Sequence, residues 1–231
     1  MKKFAILIAM VLVLSMIFCT VVMAQESSSS DKGTRKAGAI AIKAGVTIIP
    51  DKDFDSYTLG VNPQPVVRTW PGRNGFTLEG SVTAYSTDYV DIDGAIGVVF
   101  NAEQTITDVE PGYVGKLGYG KITNVYYLGG LNIYPTKKDF FFGFHAGGVT
   151  SYYGDYTYTD TAGNSITLSG GDSETNFMLR VGGGIDTKHI IVQASYIMVH
   201  QSEVPGDQLL GSIYIPSLNR HGFQILGGYK F

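Results

Sequence analysis

The chain has 231 residues, with 17 Lys and Arg against 20 Asp and Glu, one Cys, 30 Gly, 15 Tyr and 12 Phe. A net charge of −3 argues against a nucleic-acid partner, and a single cysteine excludes an internal disulfide framework. So much Gly, Tyr and Phe favours strands and close packing over helices.

Residues 1–24 read as a cleaved signal peptide. Lys2 and Lys3 form a positive start, Phe4 to Met16 are almost entirely apolar, and Val22-Met23-Ala24 offers small residues for a leader peptidase. Cleavage before Gln25 removes Cys19 and both lysines, which takes the balance from −3 to −5. No later stretch is an uninterrupted apolar run of about 18 residues, so no transmembrane helix is expected after it. Residues 25–36 (QESSSSDKGTRK) are polar and aperiodic, a flexible lead-in.

From Ala37 onward the hydrophobic period is two. In AGAIAIKAGVTII, Ile40, Ile42, Ala44, Val46 and Ile48 share one face, with Lys43 and Thr47 on the other. A second strand, about Gly75 to Ser86, sets Phe76, Leu78, Gly80, Val82 and Ala84 against Thr77, Glu79, Ser81, Thr83 and Tyr85. A third, about Asp91 to Asn101, sets Ile92, Ile96, Val98 and Phe100 against Asp91, Asp93 and Gly97. The fourth, about Leu117 to Tyr134, has no clear parity around Tyr126-Tyr127, where a bulge would fit. The fifth, Phe140 to about Tyr153, opposes Phe140, Phe142 and Phe144 to Gly143 and His145. The sixth, about Glu174 to Asp186, opposes Phe177, Leu179, Val181 and Ile185 to Asn176, Met178, Arg180 and Asp186. The seventh, about His189 to His200, opposes Ile190, Val192, Ala194, Tyr196 and Met198 to Gln193 and Ser195. The last, GFQILGGYKF, opposes Phe223, Ile225, Tyr229 and Phe231 to Gln224, Gly228 and Lys230.

The connections alternate between long and short along the chain. Thr87 to Val90, Pro135 to Asp139 and Thr187-Lys188 are tight; the other four are long, which is uncommon in compact domains. A barrel with hairpins at one end and large loops at the other has this pattern. Alternation alone does not say which face is inside. The polar parity carries Lys43, Glu79, Asp93, Lys121 and Arg180 among glycines, which suits a narrow lumen that must be filled and neutralised. The apolar parity ends in aromatics: Phe76, Phe100, Phe177 and Phe223 near the long loops, and Tyr134, Phe140, Tyr229 and Phe231 near the tight turns. Two such girdles match the two interfaces of a bilayer.

The leader MKKFAILIAMVLVLSMIFCTVVMA, the hairpin LNIYPTKKDFFFGFHAGG, the segment LRVGGGIDTKHIIVQASYIMV and the terminal GGYKF resemble the small eight-stranded outer-membrane barrels of Gram-negative bacteria, the OmpA/OmpX-type barrel domain. The resemblance implies an all-β fold for residues 37–231, an eight-stranded antiparallel up-and-down transmembrane β-barrel with short periplasmic turns and long extracellular loops. It implies location in the bacterial outer membrane, contact with membrane lipid and lipopolysaccharide, and a monomer. It also implies that Tyr229 and Phe231 carry the signal read by the barrel-assembly machinery.

A barrel of eight strands has room inside only for side chains or one small ligand. The expectation is therefore a non-enzymatic barrel, plugged by a network of Lys43, Glu79, Asp93, Lys121 and Arg180, that meets an extracellular partner through its loops. A narrow channel is the alternative. A lipid-modifying hydrolase is a third reading, resting on His200-Gln201-Ser202-Glu203, but adjacent side chains of an extended segment point apart. No two histidines have metal-site spacing, and no metal, cofactor or catalytic residue is expected. Among the loops, GDYTYTDTAGNSITLSGG is rich in Tyr, Thr, Ser and Gly and reads as a projecting hairpin.

Overall fold

A computed structural model describes residues 37–50, 52–57, 65–70, 73–101, 104–110, 113–119, 122–136, 139–152, 154–159, 163, 165–168, 173–201 and 218–231. The expected signal peptide, the lead-in, Lys121, Ser202 and Glu203 lie outside these residues. The described elements are all strands: β1 (Ile40–Ile49), β2 (Lys52–Tyr57), β3 (Pro65–Trp70), β4 (Arg73–Ser86), β5 (Val90–Asn101), β6 (Gln104–Glu110), β7 (Tyr113–Tyr119), β8 (Thr123–Ile133), β9 (Phe140–Tyr152), β10 (Tyr156–Thr159), β11 (Ser165–Leu168), β12 (Ser173–Asp186), β13 (Ile190–Gln201) and β14 (Leu218–Lys230).

Eight of them close into one antiparallel barrel in the order β1-β14-β13-β12-β9-β8-β5-β4, so each barrel strand pairs with its neighbours in the chain. Closure joins β1 to β14, with Ile42 opposite Tyr229 and Ile48 opposite Phe223. The Phe231 amide donates to the Ile40 carbonyl at 2.9 Å, so pairing continues to the last residue. A closed barrel of this kind leaves no strand edge unpaired.

The pairing also fixes the tilt. Starting from Tyr229, register partners lead through Ile42, Gly80, Ile96, Tyr127, Gly148, Phe177 and His200 back to β14 at Asn219, ten positions from the start. That stagger tilts the strands by about 40° and advances each residue by about 2.5 Å along the barrel axis. A horizontal ring therefore steps by just over one residue at each strand boundary.

Two tight connections use the same device. Thr87 donates through Oγ1 to the Val90 carbonyl at 3.0 Å and accepts from the Val90 amide at 2.9 Å. Thr187 does the same with Ile190, at 3.0 Å in both directions. One threonine hydroxyl thus closes each turn and sets the register of the hairpin it joins.

Three of the long connections carry strands of their own. β6 and β7 form a hairpin between β5 and β8, β10 and β11 form another between β9 and β12, and β10 pairs with β7 to give a four-stranded sheet, β11-β10-β7-β6. β2 and β3 pair separately. The hairpin expected in GDYTYTDTAGNSITLSGG is β10–β11. The fourth expected strand, by contrast, divides: Tyr113–Tyr119 belongs to the projecting sheet and Thr123–Ile133 to the barrel.

Two further expectations change. The bulge lies not at Tyr126-Tyr127, where pairing to β5 and β9 is continuous, but in β4 between Thr83 and Tyr85. The extra residue, Ala84, shifts the parity, so Tyr85 faces outward beside Ile92 instead of sharing the Glu79 face.

Candidate functional site

The charged residues of the barrel strands whose side chains are described, Lys43, Glu79, Asp91, Asp93, Glu174, Arg180, Asp186, Arg220 and Lys230, all occupy inward positions. Outward positions are held by Ile42, Val46, Leu78, Ile92, Val192, Ile225 and their neighbours, which are exposed. None of the described outward side chains in these strands is Asp, Glu, Lys or Arg. A water-soluble barrel has the opposite polarity, because exposing this much contiguous apolar surface to water would drive association. The outer face is that of a barrel whose surroundings are hydrocarbon.

The band has a defined height. It runs from Phe140 and Phe231 at the tight-turn end to Phe100 and Phe177 near the loops, about 25 Å along the axis. Phe76, Phe100, Phe140, Phe177 and Phe223 all face outward and are exposed. Tyr229 stacks on His189 with ring centroids 5.6 Å apart, and Phe231 meets Tyr229 edge-on at 5.0 Å. Midway between the two aromatic ends every strand presents a small outward residue: Ala44, Gly80, Gly94 and Gly129, then Ala146, Gly183, Ala194 and Gly227.

Tyr134 does not belong to this belt. It is 1% exposed and points into the lumen, where its hydroxyl lies 3.0 Å from Asp91 Oδ2 and 2.9 Å from Asp186 Oδ2. The reason is parity: β8 carries its outward residues at odd positions, so Tyr134, one residue past its end, turns inward. Lys230 pairs with Asp186 here, Ser86 Oγ donates to Asp91 Oδ1 at 2.6 Å, and Phe141 packs against Tyr134. With Ala41 and Ile191, Tyr134 and Phe141 form an apolar cluster at the tight-turn end.

The centre of the lumen is built on Glu79. Its carboxylate accepts from Lys43 Nζ at 2.7 Å, from Tyr126 OH at 2.6 Å and from Arg180 Nη1. Lys43 sits directly opposite Glu79 in the β1–β4 register, while Arg180 reaches it across the barrel from β12. Tyr126 fits because Gly97 lies opposite it: a Cβ on Gly97 would stand 2.2 Å from the Tyr126 ring. Gln224 links the cluster onward, donating from Nε2 to Thr47 Oγ1 at 3.1 Å and accepting from Arg180 Nη1 at 3.4 Å. Thr47 and Thr77 hydroxyls meet at 2.7 Å.

Of the five residues expected in one charge network, the structure brings together Lys43, Glu79 and Arg180. Asp93 forms a separate unit: Oδ1 is 2.7 Å from His145 Nε2, and Oδ2 accepts from Asn132 Nδ2 at 3.0 Å. On the loop side lies a second apolar cluster of Val99, Tyr126, Leu128, Val149, Met178 and Ile197. Sequence reasoning placed Met178 on the inward parity but missed Tyr126, Tyr134, Phe141 and the other apolar lumen residues. The signal available was the adjacent glycine: Gly97 sits opposite Tyr126 in the register, and Gly143 in the same strand as Phe141.

His200, part of the hydrolase reading, is the second-last residue of β13, on the outer face and exposed; its register partners are Phe177 and Asn219. Among the described residues, no group of three or more His, Cys, Asp or Glu is placed to hold a metal ion.

No protein-family model matches the chain, and no curated protein is similar to it in sequence. Among solved structures, it is similar to the attachment invasion locus protein Ail of Yersinia pestis, with 11% identity and a TM-score of 0.44 over 85% of this chain and all of that one. It is also similar to the outer membrane protein OprG of Pseudomonas aeruginosa, with 14% identity and a TM-score of 0.48 over 87% of this chain and 99% of the other. Neisserial surface protein A is similar at 12% identity and a TM-score of 0.35, over 83% of this chain and 97% of that one.

Proposed function

We propose that this chain is an integral outer-membrane barrel without enzymatic activity, whose lumen is closed by side chains and whose role is carried by the projecting strands at its long-loop end. The observation that carries this reading is the inverted polarity: an uncharged apolar outer face around a hydrogen-bonded interior centred on Glu79. Hydrocarbon accepts only a surface on which every backbone group is paired and no charge faces outward.

In this reading the tight turns face the periplasm, and the sheet β11-β10-β7-β6 with the β2–β3 hairpin faces the exterior. Membrane lipid and lipopolysaccharide cover the outer face, the barrel acts as a monomer, and an extracellular partner meets the projecting strands. Tyr229 and Phe231, exposed at the end of the closing strand, are what the assembly machinery reads.

The experiment is fractionation followed by electrophoresis with and without boiling. The protein is expected to extract with outer membranes and to migrate faster unboiled, as a closed barrel does. Recovery as a freely soluble periplasmic protein with a single mobility would reject the reading. Planar-bilayer recording then tests closure: the expected trace is silent, and stable unitary conductance would replace the plug with a narrow channel.

A further inference from the structure

The projecting sheet β11-β10-β7-β6 sorts its residues by row. Ile106 pairs with Leu117, Leu117 with Tyr158 and Tyr158 with Ile166, so one row is apolar or aromatic across all four strands. Two residues nearer the barrel, the row is Gln104, Tyr119, Tyr156 and Leu168. The row between them is Thr105, Gly118, Thr157 and Thr167, and the next one outward is Thr107, Lys116, Thr159 and Ser165. Successive rows of a sheet belong to opposite faces. This sheet therefore has one face of Tyr, Leu and Ile and another of Thr, Ser and Gly.

A sheet with an apolar face buries that face against another layer. Ser165 and Thr167, on the polar face, are exposed, so that side meets water. Among the described elements no fifth strand joins the sheet. A contiguous apolar face on an extracellular projection is a place where a partner binds.

Charge selects the occupant. β6 and β7 run past β10 and β11, and there Asp108 and Glu110 fall on the apolar face, opposite Gly115 and Tyr113. They are the only charged residues in the rows of this face; Lys116 belongs to the other. A sulfated or phosphorylated glycan finds no cation here. A second copy in the same membrane brings its own Asp108 and Glu110 to the same height, carboxylate against carboxylate. An amphipathic helix with basic flanks matches both features, its apolar stripe on the Tyr, Leu and Ile rows and its cations beside the acids. The dimensions agree as well. The seven residues of β6 span about 23 Å, the length of a helix of about 15 residues, and the outer strands stand about 14 Å apart, wider than a helix of about 10 Å.

We propose that the Tyr, Leu and Ile face of this sheet binds cationic amphipathic helices, with Leu117 and Tyr158 under the apolar stripe and Asp108 and Glu110 at its basic end. This rests on the reading that these strands face the exterior, and it adds which face engages a partner and what chemistry that partner carries. Because the two carboxylates lie at the margin of the face, salt weakens the attraction without abolishing it.

The test uses the full barrel in phosphatidylcholine nanodiscs and a fluorescein-labelled helix of about 15 Leu and Lys residues, with empty nanodiscs as the baseline. Saturable binding above that baseline is expected, weakened about tenfold or more when every Lys of the peptide becomes Gln. Tyr158→Thr with Ile166→Thr, and separately Asp108→Asn with Glu110→Gln, are each expected to weaken it about tenfold, while Thr157→Ala with Thr167→Ala on the other face leaves it unchanged. The Gln peptide probes the charge with no change to the protein, and fast migration of each unboiled variant shows that the barrel is intact. Binding no greater than to empty nanodiscs would overturn the proposal. So would equal loss in the Thr157 and Thr167 variant, or loss from the acidic variant alone, which would reduce the effect to general charge attraction. Cross-linking of one barrel to another through Leu117→Cys would overturn it in favour of a second copy. Fractionation separates the two failures: an outer-membrane barrel that ignores the peptide loses only this role of the sheet, whereas a soluble protein loses the parent reading too.

Discussion

Replacing Glu79 with Gln tests how the lumen is held together. The amide keeps the shape and one acceptor oxygen but removes the carboxylate charge that pairs with both Lys43, at 2% exposure, and Arg180, at 1%. Breaking one buried pair by removing a partner costs about 3–5 kcal/mol, because the remaining charge stays desolvated. Here two cations lose the same partner, so about 3 kcal/mol is a lower bound. With a urea dependence of about 1–3 kcal/mol per molar, the unfolding midpoint in lipid vesicles falls by at least about 1 M. A cycle with Lys43→Met reports the coupling, expected at about 1 kcal/mol or more. A loss below about 1 kcal/mol with no measurable coupling would refute the reasoning, since it would mean that these charges are already hydrated and the lumen is open.

Three further outcomes follow from the same geometry. Gly97→Ala places a methyl 2.2 Å from the Tyr126 ring and drives the hydroxyl off Glu79; a loss of about 2–3 kcal/mol is expected, read as a lower temperature for the gel-mobility shift. Leu78→Arg, midway along the lipid face, is expected to cost about 2–4 kcal/mol in vesicle unfolding, against about 1 kcal/mol or less for Tyr85→Arg near the tight-turn end. Equal costs would show that the two sites do not differ in membrane depth. Tyr229→Ala combined with Phe231→Ala is expected to lower outer-membrane yield in cells several-fold while changing stability of the refolded barrel by only about 1 kcal/mol; unchanged yield would remove the assembly role.

How much was legible in the sequence depended on strict alternation. Where polar residues recur on one parity, as Lys43 and Thr47 do in Ile40–Ile49 and Asp91 and Asp93 in Val90–Asn101, the two faces are recovered, although apolar Ala41, Ala95 and Val99 also point inward. Reading failed where the lumen itself is apolar. A narrow barrel cannot be filled by charges alone, so Leu128, Met178, Ile191, Ile197 and Leu226 point inward and blur the pattern. In Phe140-Phe141-Phe142 three identical residues alternate out, in, out, which composition cannot show. Tyr134 was misplaced for a related reason: an aromatic beside a turn fits a membrane girdle, but only the register of β8 tells that it meets Asp91 and Asp186. The bulge at Ala84 carries no local sequence signal. Of the central cluster, the charges were readable by parity, whereas their partition was not. Whether Glu79 or Asp93 meets Arg180 depends on the ten-residue stagger, a property of the closed barrel rather than of any one strand.

The measurement that bears most directly on the inverted barrel is a nuclear Overhauser experiment on the methyl-labelled protein in lipid nanodiscs. Transfer from acyl-chain protons should reach Ile42, Leu78, Val98, Leu131 and Ile225, which face outward, and should be absent from Leu128, Ile191, Ile197 and Leu226, which are equally apolar but face the lumen. Contact of lipid with the second group in place of the first would contradict the account.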